Sequence, residues 1–186
     1  MRIFSNFDTK LKKTSLEKYQ KEYWIDKVML LWKSRLFWFL KIFFPIFFYL
    51  LVLAGAVRLA YLMFDNEKHI LYAWIVVFIL LLLISWPIIK HYMDYKMDFA
   101  IVTPEALVMF NQTWIFKRDT AAIDMDKIKT ISIKKRSIMY SVFNNWNIIF
   151  LSEWDNNNYW EITLLFISRP EEKRDAIYTI IDNFKK

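Results

Sequence analysis

LFWFLKIFFPIFFYLLVLAGAVRLAYLMFDNEKHILYAWIVVFILLLLISWPII, residues 36–89, decides how the rest of this chain is read. Two long apolar runs are separated there only by Asp65, Asn66, Glu67, Lys68 and His69. The second run, 70–89, has twenty residues without a formal charge, enough at about 1.5 Å rise per residue to cross the ~30 Å hydrocarbon core of a bilayer. The first run, 36–63, is interrupted by Lys41 and Arg58, about 26 Å apart along a helix axis, so each can snorkel toward an opposite interface. The sequence thus predicts a transmembrane helical hairpin, with Lys41, Arg58 and Lys90 as its interface anchors.

Outward from the hairpin, charge sets the orientation. Nine basic residues from Arg2 to Arg35 precede the first span and Lys90 and Lys96 follow the second, whereas the connector holds only Lys68. The positive-inside rule then predicts a multi-pass protein of the plasma (inner) membrane with both termini in the cytosol. The formal charge of +7 is explained by this membrane-face excess, and no nucleic-acid partner is expected. Thirty-five charge-rich residues precede the first apolar run, which argues for a retained anchor over a cleaved signal peptide. With no cysteine in 186 residues, disulfides, thiolate metal sites and a cysteine nucleophile are excluded together.

Residues 1–35 form an N-terminal segment whose helix is expected from about Thr14, where Thr14 and Glu17 have capping-box spacing. Leu16, Tyr19, Tyr23, Leu30 and Leu31 share one face loosely, so this helix either lies in the interface or packs its aromatic face on the soluble domain. Within the spans, Pro45 and Pro87 are expected to kink the helices, and Ala54, Gly55 and Ala56 to let them approach closely, against Ala73.

From residue 95 the pattern shifts to short strand-like segments: 98–103, 106–110, 114–117, 130–134, 147–152 and 159–167. A last helix follows, with Ser168 as its expected cap, Pro170 in its first turn, and Ile177, Ile180, Ile181 and Phe184 on one face. The fold class is therefore an α+β membrane protein, whose two-helix hairpin precedes a small antiparallel β-barrel or sandwich capped by a C-terminal helix.

Four stretches carry a family resemblance: DFAIVTPEALVMF at 98–110, IDMDKIKTISIKK at 123–135, SVFNNWNIIFLSE at 141–153 and LLFISRPEEKRDAIYTIID at 164–182. In this order, behind a hairpin, they resemble the bacterial pleckstrin-homology-like (PH-like) domain of YdbS-like membrane proteins. The resemblance implies a PH-like domain over 95–186 that serves as an assembly or scaffold unit.

One departure from that family concerns glycine, which the family usually carries in turns where this chain has Trp114, Trp146 and Trp154. A turn needing positive φ accepts glycine readily and an aromatic only at a cost. Typical usage of about 7% would give roughly thirteen glycines, whereas there is one, beside nine tryptophans. These turn positions raise the reading that the source decodes UGA as glycine and that tryptophan has been written for it. Depletion of glycine codons by base composition is the competing reading.

No nucleophile elbow, Walker loop, HExxH or dinucleotide fingerprint occurs. His69 and His91 fall at opposite ends of one span and cannot share a metal within one copy. No enzymatic activity, metal or cofactor is expected. The candidate ligand surface is the cluster Lys127, Lys129, Lys134, Lys135 and Arg136, which could meet anionic headgroups or a protein, although Asp119, Asp124 and Asp126 offset its field and a solvated strand face is the simpler account. The sequence thus points to a membrane-anchored PH-like interaction or scaffold module whose partners are the bilayer, another protein or a second copy. The alternative is a small oligomeric transport or envelope-stress component whose hairpins line a pathway.

Overall fold

The computed structural model describes residues 10–63, 67–114, 117–135, 143–154 and 158–185. Two compact units divide the chain: one joins the N-terminal segment through Leu36 to everything from Met93 onward, and the other is Phe37–Tyr92.

The helical unit contains most of two helices long and apolar enough to cross a membrane, Arg35–Leu62 and Ile70–Met97. The first begins as α2 (Arg35–Trp38), passes through a π-helical turn (Phe39–Phe43), and continues as α3 (Phe44–Met63). The π turn lies just upstream of Pro45, which has no N–H to offer the Lys41 carbonyl, so the helix rewinds and the Phe44 N–H donates to Phe39 O instead. The second helix, α4 (Glu67–Met97), runs eight residues past the expected end at Ile89, because nothing between Lys90 and Met97 breaks it. Inside α4, Pro87 cannot bond to the Leu83 carbonyl, and two residues earlier the Ser85 hydroxyl donates to the adjacent carbonyl, Leu82 O, at 2.8 Å. The expected close approach at Gly55 is not found: a Cβ there would meet nothing within 4 Å.

Among the described residues, the β-rich unit holds seven strands in two antiparallel sheets that do not close into a barrel. One sheet has the order β1-β2-β3-β4, made of β1 (Met29–Trp32), β2 (Phe99–Val102), β3 (Ala106–Trp114) and β4 (Lys117–Asp124). The other is the meander β5 (Ile128–Lys134), β6 (Asn145–Trp154) and β7 (Asn158–Ser168). The core between them unites Leu31, Val102 and Leu107 of the first sheet with Ile148, Phe150 and Ile167 of the second. Helix α5 (Pro170–Lys185) closes this core with Ile177, which is fully buried. On the other face of the four-stranded sheet, Val28, Phe99, Ile101, Val108 and Phe110 pack against Leu11, Leu16, Tyr19 and Tyr23 of α1 (Leu11–Tyr23). Strand β2 is therefore buried on both faces, which explains why FAIV is apolar throughout and does not alternate.

Several expectations are corrected. Helix α1 starts at Leu11, not near Thr14, and Thr14 caps nothing: its hydroxyl donates back to Lys10 O at 3.2 Å inside the first turn. The aromatic face of α1 packs on the four-stranded sheet, and Leu30 and Leu31 belong to β1, a strand the periodicity did not announce. Of the strand expected at 114–117, Trp114 ends β3 and Lys117 opens β4, residues 115–116 lie outside the described residues, and β4 itself is not anticipated by the sequence pattern. Ser168 ends β7, and α5 begins at Pro170 behind Arg169, which takes φ 47. Trp146 is no turn residue: it lies in β6 opposite Ile167 with its ring buried, and the positive φ before that strand falls on Asn144. A tryptophan does occupy such a conformation elsewhere, for Trp24 closes α1 at φ 73 and ψ 151.

Candidate interaction surface

The basic cluster read from the sequence is spread over a 3-10 turn and one strand. Lys127 ends the turn Met125–Lys127 and is ion-paired to Asp124 at 3.1 Å. Lys129 is the extra residue of a bulge, since Ile128 and Thr130 face the adjacent residues Ser152 and Leu151 of β6. Lys134 is exposed at the end of β5 opposite Asn147. Lys135 reaches Glu171 of α5 at 3.4 Å and lies 5.3 Å from the centre of the Trp146 ring, so it ties β5 to the closing helix. Arg136 lies outside the described residues. Lys127 and Lys135 therefore spend their charge on carboxylates of this chain, and both pairs are largely exposed. Lys41, Arg58 and Lys90 are exposed on their helices.

A second polar site joins β1 to β2. One residue beyond the registered pair Trp32 and Phe99, Lys33 Nζ meets Asp98 Oδ2 at 2.6 Å with both side chains largely buried. The other oxygen, Asp98 Oδ1, accepts the Gln112 N–H at 2.7 Å. Burial pushes the Asp98 carboxyl above its ordinary value, and Lys33 and the Gln112 N–H pull against that shift without cancelling it. The neighbouring cavity of about 130 Å³ is lined by Lys33, Asp98, Asn111 and Thr163 among apolar residues. It offers one carboxylate, already bonded on both oxygens. Among the described residues no three His, Cys, Asp or Glu side chains come together as a metal site, and His69 and His91 lie about 33 Å apart along α4.

A third grouping brings together residues that the sequence keeps far apart. Lys12 Nζ lies 4.4 Å from the centre of the Trp32 ring and Lys173 Nζ 5.4 Å from the same ring. Burial, then the charges of Lys96 and Lys173, lowers Lys12 to about 8. Lys173 is lowered too, by burial and Arg169, with Glu172 opposing. No local motif signals this cluster, because it is assembled from α1, β1, the last turn of α4 and α5.

No family model matches this chain, and neither a curated protein nor a solved structure matches it significantly.

Proposed function

We propose that this chain is a membrane-anchored, non-enzymatic interaction module, with a PH-like domain held at the cytosolic face of the plasma membrane by a two-span hairpin. The observation that carries this reading is the surface of the long helices. In the most apolar window of α4 no residue is buried, and Leu71, Phe78, Leu82 and Leu83 are each more than half exposed. Helices apolar on all sides with nothing covering them are stable in lipid and not in water. Support for the PH-like assignment comes from the order of parts: a long apolar helix, a strand followed by Thr103, a tight hairpin closed by Thr103 and Ala106, further strands and a final helix. The bilayer, a protein partner or a second copy are the interactants, and Lys129 and Lys134 are exposed candidates for contact.

The absence of cysteine gives a clean test. A single cysteine at Asn66 should react with a membrane-impermeant maleimide in intact cells, and one at Lys134 only after lysis. The reverse pattern, or recovery of the chain in the soluble fraction, sinks the topology. A module of this kind should also leave cross-linked native membranes with a stoichiometric protein partner or a second copy of itself. Robust turnover of a small molecule by the purified chain would overturn the non-enzymatic part.

A further inference from the structure

Beside the Lys12, Trp32 and Lys173 cluster runs an open groove of about 570 Å³, within the usual range for small-molecule sites. Its walls are Leu16 of α1, Val28, Leu30 and Trp32 along the β1 segment, and Ala176 and Ile180 of α5. The two features share one axis. Leu16 is four residues from Lys12, and Ala176 three residues from Lys173, so each lysine stands one helical turn from a groove wall on the same helix face. Trp32 belongs to both. Asp26 also lines the groove, and the extended segment from Val28 to Trp32 sets it about 13 Å or more from the lysine end. The groove is thus cationic at one end, apolar along its length and acidic at the other.

Among the described residues neither Lys12 nor Lys96 has a carboxylate within ion-pairing distance, and Lys173 meets only the Ser168 hydroxyl, at 3.4 Å. Lys12 and Lys173 crowd one indole and repel each other, and the Lys96 charge adds to the positive field at Lys12, a standing cost to the fold. Lys96 lies in the last turn of α4, seven residues past Ile89 and so about 10 Å beyond the uncharged run. That is where a spanning helix meets lipid phosphates.

We propose that this groove binds one anionic phospholipid, its phosphate held by Lys12 and Lys173 beside Trp32 and an acyl chain lying along β1 between α1 and α5. The inference rests on the membrane-anchored reading, which brings the site to its ligand. The full chain reconstituted in phosphatidylcholine nanodiscs tests it by amine acylation at pH 8, read by peptide mass spectrometry. Lys13, adjacent and exposed, is the internal control. Phosphatidylglycerol added at about tenfold over its Kd should slow acylation of Lys12 and Lys173 about tenfold relative to Lys13. Inorganic phosphate in phosphatidylcholine discs should not. Equal protection by inorganic phosphate would make this a free-anion site and overturn the proposal; so would equal protection in phosphatidylcholine alone, or none with phosphatidylglycerol. Loss of protection in discs that retain the chain overturns the lipid site alone, whereas failure of the chain to enter discs overturns the membrane reading and the site with it.

Discussion

At the scale of single residues, the backbone separates tryptophans it accommodates from one it does not. Trp32 and Trp146 lie in strands, the first with two lysines around its ring and the second buried, so a large ring suits both. Trp24 sits at φ 73 and ψ 151, a combination close to glycine territory, and its side chain is 78% exposed. Trp24→Gly therefore relieves strain while losing little burial, and should stabilise the chain by about 1 kcal/mol, or about 2–4 °C in thermal unfolding. An unchanged or lower midpoint would mean that the ring contributes more than the backbone costs. Mass spectrometry of the peptide from its native source asks the same question of the genetic code: a glycine mass at residue 24 supports recoding, and a tryptophan mass there and at Trp114 ends it. Lys33 makes the opposite case, a residue the fold cannot spare. Lys33→Met leaves the largely buried Asp98 carboxylate without its partner, at a cost of about 3 kcal/mol near neutral pH. Because Asp98 titrates above its ordinary 3.8 when folded, the stability from this group is fully present below 3.8 and is lost as pH rises through the folded value. The deficit of the variant should therefore be smaller at about pH 4 than at pH 7, and an equal deficit would show that Lys33 acts by packing.

Elements were legible in proportion to how far their sequence pattern reflects local burial. The two long helices declare themselves because they are apolar on every side over a long run, and β2, β3 and β6 because core strands concentrate Val, Ile, Leu and Phe. Strand β4, KRDTAAID, was invisible because it is an edge strand exposed along most of its length, so no apolar alternation was required of it. Strand β1 was hidden for a different reason. MLLW follows α1 closely enough for Leu30 and Leu31 to extend its helical spacing, and its partner β2 lies about seventy residues away, beyond the reach of any window. The same distance hid the lysine cluster, whose members only tertiary folding assembles. Its short length does not make β1 dispensable: Leu31 is 1% exposed in the core shared by the two sheets, whereas Leu16 on α1 is only partly buried. Leu31→Ala should cost about 3 kcal/mol and Leu16→Ala about 1 kcal/mol, compared by thermal unfolding in detergent. Equal effects would mean that β1 frays from the sheet.

At the scale of the whole molecule, the long helices are an insertion within the β-rich unit, because β1 precedes them and pairs with β2, which follows them. Cutting at residue 95, where the strand pattern begins, removes Leu31 from one core and all of α1 and Val28 from the other. It also leaves the edge of β2 unpaired and uncovers Phe99, Ile101, Val108 and Phe110, a template for aggregation. Residues 95–186 alone should therefore express as aggregates or as a dimer joined through β2. Joining residues 10–36 to 93–186 should instead restore the unit without the spans. Lys33 and Asp98 are in contact, so the ends to be joined lie only three and five residues from a fixed point, and a Gly-Ser linker of about eight residues, at most about 26 Å when extended, bridges them. The expected product is a soluble monomer with cooperative thermal unfolding, in which Lys33→Met is as damaging as in the full chain. Should 95–186 prove soluble, monomeric and equally stable, β1 and α1 would be accessories to a domain complete without them. The hairpin would then be an N-terminal anchor, and the chain would enter its folded unit only after leaving the membrane.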